Sequence, residues 1–391
     1  MSRGFDFNHQ AADNNCPSPN DDQPAIASKQ ALPAWAEDAS PNVFALIAAA
    51  LALTLSLIAF APHFWLWHQP VEGSFEWTRG LAFEEQVANP SSPTIEPALQ
   101  WRCLPAAIAR VLKMKGHSAF LIGWLGVISL LTGIARWMID HTGNRMAAFA
   151  ATLLVAESSA VIVPTGWLGI NDAWAWLGLA AVAFSRRQLV FATALLLCPW
   201  VDERFLLALP LALWARQILV GRKPFLGQLS FAGACVTPYL LLRIWAAWSG
   251  TDATSGVFIR KCLDDFGHYA PCAPLGWWMG WRLAWLLPLW SGWLLWQDGK
   301  TSSITLGLGA AATGLALATF LAADLSRSAA MLLPGILASF VLITKRNPSL
   351  FAGHSLALAV TNLFVPAAHV VSVKIALISC LPLEWWRWIH S

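Results

Sequence analysis

The stretch VFALIAAALALTLSLIAFAPHFWLW, residues 43–67, contains no Asp, Glu, Lys or Arg. It exceeds the roughly 20 apolar residues that an α-helix needs to cross a bilayer. Inside hydrocarbon every backbone N–H and C=O must be paired within the segment, so this run reads as a membrane helix. A cleavable signal peptide would put a short apolar run close to the start, whereas this one begins at Val43 and is long enough to stay as a signal anchor. Ahead of it, residues 1–42 are rich in Asn, Asp, Gln, Ser and Pro with no apolar run able to bury a core, which predicts a disordered cytoplasmic tail.

The rest of the chain repeats the character of this first run. Of 391 residues 57% are hydrophobic and only 12% are charged, which excludes a cytosolic globular enzyme. The 25 Lys+Arg against 22 Asp+Glu are too evenly balanced for a nucleic-acid binder. The 24 Trp against 2 Tyr suit many crossings, because the indole ring prefers the headgroup level. The expected class is an all-α polytopic membrane protein, with residues 43–391 as one multi-pass domain.

Apolar runs divided by charges, Pro and Gly predict about twelve transmembrane helices, over 43–67, 119–139, 146–163, 172–184, 189–200, 205–220, 225–248, 277–296, 304–323, 328–344, 350–365 and 369–386. The fourth and fifth are too short for a full crossing. With the amino terminus inside, the inner turns carry Arg136, Arg145, Arg186, Arg187, Arg216, Arg222, Lys223, Lys300, Lys345 and Arg346. The short outer turns carry only Arg204, Arg260, Lys261 and Arg327, the long first loop, residues 68–118, being set aside because long loops obey the rule poorly. The positive-inside rule then places the amino terminus in the cytoplasm and, for an even helix count, the carboxyl terminus too.

That orientation gathers Glu72, Glu76, Glu84, Glu85, Glu96, Asp172, Asp202, Glu203, Asp252, Asp264, Asp265 and Asp324 on the outer side. Two causes remain open, solvated loop caps or a carboxylate-lined cavity. The first outer loop, residues 68–118, also holds a stretch from about Thr94 to Gly116 in which Leu99, Leu104, Ile108, Val111 and Leu112 alternate with Arg102, Arg110, Lys113 and Lys115. This pattern predicts an amphipathic helix lying in the interface, either to meet lipid headgroups or merely to tether the loop.

Further along, Glu157 falls within an apolar run, where a carboxylate is costly and marks a functional site by default. Asp172 precedes an apolar run as a helix cap would. Asp202, Glu203 and Arg204 are consecutive between two apolar segments, and Asp324 with Arg327 repeats that chemistry later. Arg243 and Arg282 enter apolar runs from the outer side, where they must pair or snorkel. Together Arg204, Arg243, Arg282 and Arg327 are candidates for binding a lipid phosphate, since guanidinium forks match phosphate oxygens. Cys262 and Cys272 share one outer loop and are close enough in sequence to pair on an oxidising side. No Cys-x-x-Cys, His-x-x-x-His or Gly-rich phosphate loop occurs, so zinc, redox and nucleotide motifs have no support, and a divalent metal on the outer acids stays open.

From Val43 to Arg346 the order of features resembles membrane glycosyltransferases of the C-type fold, which use polyprenyl-phosphate sugar donors. A first span leads to a long acidic outer loop ending in the amphipathic segment from Gln100 to Leu112. Then follow the outer turn ending Asn171-Asp172-Ala173, short spans joined by Ser185-Arg186-Arg187-Gln188, the run from Val201 to Pro210, and Asp324 to Pro334. The resemblance implies a base in the first outer loop, at Glu72, Glu76, Glu84 or Glu85. It implies that Asp172, Asp202, Glu203 and Asp324 support the reaction and that arginines hold the donor phosphate, in a bacterial inner membrane. The chain departs from the family in having no Asp from residue 40 to residue 139. Three readings stay open: a transferase of this kind, a transporter or lipid flippase, and a non-catalytic protein on the same scaffold.

Overall fold

The computed structural model of the protein describes residues 38–61, 75–92, 95, 97–221, 225–249, 260 and 263–390. Nearly all of the predicted tail, and with it Glu72 and Cys262, lies outside these residues, and Glu76 is described by its backbone alone. In order the helices are α1 (Pro41–Ala59), α2 (Phe75–Ala88), α3 (Pro97–Gln100), α4 (Cys103–Val111), α5 (Leu121–Thr142), α6 (Arg145–Ala156), α7 (Ser159–Gly166), α8 (Ala173–Phe184), α9 (Gln188–Leu197), α10 (Arg204–Leu219), α11 (Phe225–Trp248), α12 (Ala273–Trp281), α13 (Leu286–Gln297), α14 (Thr301–Leu321), α15 (Leu325–Ala330), α16 (Leu333–Arg346), α17 (Pro348–Leu363) and α18 (Leu381–His390). A hairpin of β1 (Ala367–Val371) and β2 (Lys374–Ile378) stands between the last two.

Among the described residues four helices are long and apolar enough to cross a membrane: α1, α5 with its lead-in from Gly116, α11 and α14. The bent pair α6–α7 adds a fifth if it is taken as one span. Leu226, Leu241, Ile244, Trp245 and Trp248 stand exposed on α11, as a lipid-facing helix requires. The chain is therefore a helical protein with four candidate membrane spans, and four of the twelve expected helices are broken or replaced.

Each departure has a local cause. The third expected helix splits at Glu157–Ser158, where α6 and α7 meet at 51°. The Ser158 side chain accepts the Ala160 N–H at 3.3 Å and so restarts the helix as an N-cap. The eighth breaks at Arg282, whose φ of 47° is a conformation that L-residues rarely adopt and that ends α12. The tenth is two pieces, α15 and α16. The twelfth is replaced by the hairpin, because Val370, Val371, Val373 and Ile375 are β-branched and favour a pleated backbone. Its two-residue turn, Ser372–Val373, puts Ser372 at φ 55°. The amphipathic helix expected over 94–116 is likewise two helices, α3 and α4, interrupted at Trp101–Arg102.

The core is built from small residues. Ala147, Ala148, Ala150 and Ala151 of α6 and Ala173, Ala175, Ala180 and Ala183 of α8 are fully buried, which lets backbones approach where lipid offers no hydrophobic drive. Gly276 and Gly280, one turn apart on α12, do the same against α15. A Cβ on Gly280 would lie 2.5 Å from Ala329 Cβ and 3.2 Å from the Ser326 carbonyl.

The two ends of the bundle differ. At the end where α1 starts, Arg136 donates to Asn42 Oδ1 at 3.0 Å, Arg145 donates to the Ala39 carbonyl at 2.7 Å, and Arg346 meets Asp298. At the end where α1 finishes, Ala61 N–H donates to the Ser379 carbonyl at 2.8 Å. Pro41 and the residues that follow α17 thus lie at opposite ends of α1, where the sequence suggested both chain termini on one side. α17 is followed by the hairpin at the far end, and ten residues of α18, about 15 Å long, are too short to recross a bilayer about 30 Å thick.

Candidate functional site

Five separate segments meet at the end where α1 finishes. Gly169, at φ 72°, allows the turn between α7 and α8 to pass under α2. A Cβ there would sit 2.9 Å from the Arg79 carbonyl and from Phe83 Cβ. The same turn delivers Asp172. The α9–α10 turn delivers Asp202, Glu203 and Arg204, the α14–α15 turn delivers Asp324 and Arg327, the α3–α4 break delivers Arg102, and β1 delivers His369.

Asp172 does not cap α8 with its side chain. Its carboxylate accepts from Arg327 Nε at 2.7 Å and Nη2 at 2.9 Å, and from Arg204 Nη2 at 2.7 Å. Asp202 takes Arg204 in the same two-pronged way, Nε at 2.8 Å and Nη2 at 2.7 Å, and accepts the Arg204 backbone N–H at 2.9 Å. Arg102 bridges outward, with Nη1 3.2 Å from Asp202 and Nε donating to Glu203 at 3.0 Å. Arg327 also bonds Asp324. Asp172, Asp202, Arg204 and Arg327 are at most 5% exposed, so the pairs are desolvated and directional. The solvent-facing edge is the Arg102–Glu203 pair, whose side chains are 22% and 31% exposed.

Charge follows from this geometry. Burial pushes the Asp202 carboxyl up, but the Arg102 and Arg204 guanidiniums outweigh it and hold the group well below the usual carboxylate range. Asp324 is lowered in the same manner, burial being overcome by Arg327 and His369. Four carboxylates face three guanidiniums, with His369 alongside. Its Nδ1 lies 2.7 Å from Ser326 Oγ, its Nε2 lies 3.8 Å from Asp324 Oδ1, and its ring packs edge-on against Trp167 at 4.6 Å. Ser326 Oγ also accepts the Val370 N–H at 3.1 Å, which fixes β1 against α15.

Of the residues that the sequence singled out, Asp172, Asp202, Glu203, Arg204, Asp324 and Arg327 come together. Glu84 bonds His117 Nδ1 at 2.9 Å, and with Glu85 it lines a surface recess of about 570 Å³ beside Leu81 and Gly116. Their carboxylates are not among the ion pairs of the network, although the neighbouring Gln86 Nε2 donates to the Arg102 carbonyl at 3.4 Å. Arg243 lies beside the network, over the Trp101 ring at 4.4 Å. Arg282 is elsewhere, buried with Glu157, and does not take part. Arg102 and His369 were not singled out. One read as a cationic flank of an amphipathic helix and the other fell at the start of the twelfth expected helix, and only the α3–α4 break and the hairpin turn them inward.

Among the described residues no three or more His, Cys, Asp or Glu are grouped as metal ligands, because the clustered acids are turned toward arginines. A separate apolar cleft of about 530 Å³ runs between α10, α13, α14 and α16, lined by Trp214, Trp285, Trp293, Leu308 and Ile336 among others. Compared with models of known protein families, with curated proteins and with solved structures, the chain matches none.

Proposed function

We propose that the chain is a membrane-embedded transferase that passes a sugar from a polyprenyl-phosphate donor to an acceptor, on a scaffold like that of the C-type glycosyltransferases. The observation that supports it is the convergence of Asp172, Asp202–Arg204 and Asp324–Arg327 with Arg102 of the first loop at one end of an apolar bundle. In this reading the bundle sits in a bacterial inner membrane, the start of α1 faces the cytoplasm and the network faces outward. The broken spans α6–α7, α12–α13 and α15–α16 make up the balance of the crossings.

The chemistry needs a carboxylate to accept the acceptor hydroxyl proton as that oxygen bonds to the anomeric carbon. The bond from that carbon to the phosphate oxygen breaks, and the electron pair leaves on the polyprenyl phosphate, whose charge the guanidiniums stabilise. Glu203 suits the base role better than Glu84 or Glu85. Its Oε2 is held by Arg102, and its side chain is the network's most exposed carboxylate among those in ion pairs. Arg204 Nη1 is buried without a hydrogen-bond partner among the described residues, which leaves a guanidinium nitrogen to receive a further anion. The apolar cleft offers a bed for an isoprenoid chain.

A second reading has one observation in its favour. Each network carboxylate already meets a guanidinium, which is also how a purely structural clamp would look. Membranes carrying the protein, incubated with labelled hexosyl-phosphoryl-polyprenol, separate the two. Transfer that is lost in Glu203→Gln and kept in Glu85→Gln supports the transferase. Absence of transfer from every donor tried, in a protein that melts normally, favours the clamp. Labelling of Asn89→Cys by a membrane-impermeant maleimide from outside tests the orientation.

A further inference from the structure

The exposed edge of the network is also where its aromatic residues collect. The α3–α4 break presents Trp101 immediately before Arg102, and the turn before α10 presents Trp200 two residues before Asp202. Their rings lie 6.4 Å apart with planes inclined by 29°. Tyr239 of α11 stands edge-on to both, 6.5 Å from Trp101 and 4.9 Å from Trp200. Arg243, one turn further along α11, covers Trp101. Tyr239 is 3% exposed, and its hydroxyl has no hydrogen-bond partner among the described residues. Glu203, Arg243, Arg102 and Asp202 are all near enough to act on it electrostatically.

We infer that Trp101, Trp200 and Tyr239, with Glu203 and Arg102, form a carbohydrate subsite that takes a pyranose ring. A pyranose has an apolar face of C–H bonds that packs on aromatic rings, and a rim of hydroxyls that need both acceptors and donors. The two half-buried indoles supply the first, and Glu203, Arg102 and the Tyr239 hydroxyl supply the second. Membrane-interface anchoring accounts for rings at the headgroup level. It does not account for a buried phenol with no partner beside a half-open carboxylate, since such a group costs free energy unless something bonds it. The inference rests on the sugar-transfer reading and places the sugar against the first loop and α11.

The test uses the full chain in lipid nanodiscs prepared without sugar detergents, titrated with hexosyl-phosphoryl-polyprenol and with the same polyprenyl phosphate lacking the sugar, binding being read by native mass spectrometry. The wild type should favour the sugar-bearing lipid by about tenfold, and Trp200→Ala or Trp101→Ala should remove that preference while leaving affinity for the sugar-free lipid unchanged. Trp200→Phe should keep most of the preference, and Tyr239→Phe should reduce it, both with an unchanged melting temperature. Equal binding of the two lipids by the wild type overturns the subsite, as does a preference that survives Trp200→Ala. Sugar preference without transfer overturns the transferase reading and leaves the subsite standing; transfer with a preference insensitive to these substitutions does the reverse.

Discussion

Arg204 and Arg282 are both buried arginines in a chain with little charge, and they are held in opposite ways. Arg204 is surrounded by carboxylates brought by loops. Arg282 instead donates to backbone, to the Glu157 carbonyl and to the Val365 carbonyl at 3.3 Å, with its guanidinium 4.3 Å over the Phe60 ring. The Glu157 carboxylate turns to Asn362, accepting at 2.8 Å, and Asn362 Oδ1 accepts the Leu283 N–H at 3.0 Å. The first arrangement pins loops together through charge. The second satisfies carbonyls released where α6–α7, α12–α13 and the end of α17 interrupt their helices, an obligation that hydrocarbon imposes.

The contrast is broken most forcefully by Asp172→Ala, which strips one partner from two buried guanidiniums. We expect a loss of about 3–5 kcal/mol, seen as a large fall in unfolding temperature in detergent. A variant that melts within a degree of wild type would show that the network does not hold the loops. Arg282→Met comes next, at about 2–4 kcal/mol for two orphaned carbonyls. Glu157→Gln should cost clearly less, because a Gln carbonyl still accepts from Asn362. If the two costs are equal, Arg282 serves the charge and not the backbone.

Acidity sharpens the same contrast. Asp202 and Asp324 have folded-state pKa values below their unfolded ones, near 3.9, so their contribution is complete above that pH and is lost as pH falls toward the folded values. Stability attributable to the network should be level from pH 7 to about 5 and decline only below about 4, and Asp324→Asn should flatten that decline. A fall already under way at pH 6 would show that Asp202 and Asp324 do not govern it. The smallest effect belongs to the opposite end of the bundle. Arg136→Ala, which removes an exposed pair with Asp140, should change stability by no more than about 0.5 kcal/mol.

What could be read in advance follows from which signals are local. Hydropathy located α1, α5, α11 and α14, because length and composition suffice there. The same measure is blind to where an apolar run bends. The interruptions at Glu157 and Arg282 depend on polar groups that meet across more than a hundred residues of sequence. It also smoothed 369–386 into one helix, although the β-branched residues of the hairpin were visible. Asp202–Arg204 and Asp324–Arg327 were legible as dense charge between apolar runs. Arg102 was not, because an arginine on an amphipathic stretch looks like any other cationic flank until the helix stops two residues before it.

The hairpin has a consequence for biosynthesis. Ser372 N–H donates to the Ala323 carbonyl at 2.5 Å, Ser326 holds His369, and Ser379 receives the end of α1. The hairpin leaves the ribosome long after α1 and after the segment bearing Asp324 and Arg327, and it fastens the two together. Until Ser379 has emerged, a nascent chain lacks that fastening, and that interval is when quality-control proteases have their best access to it.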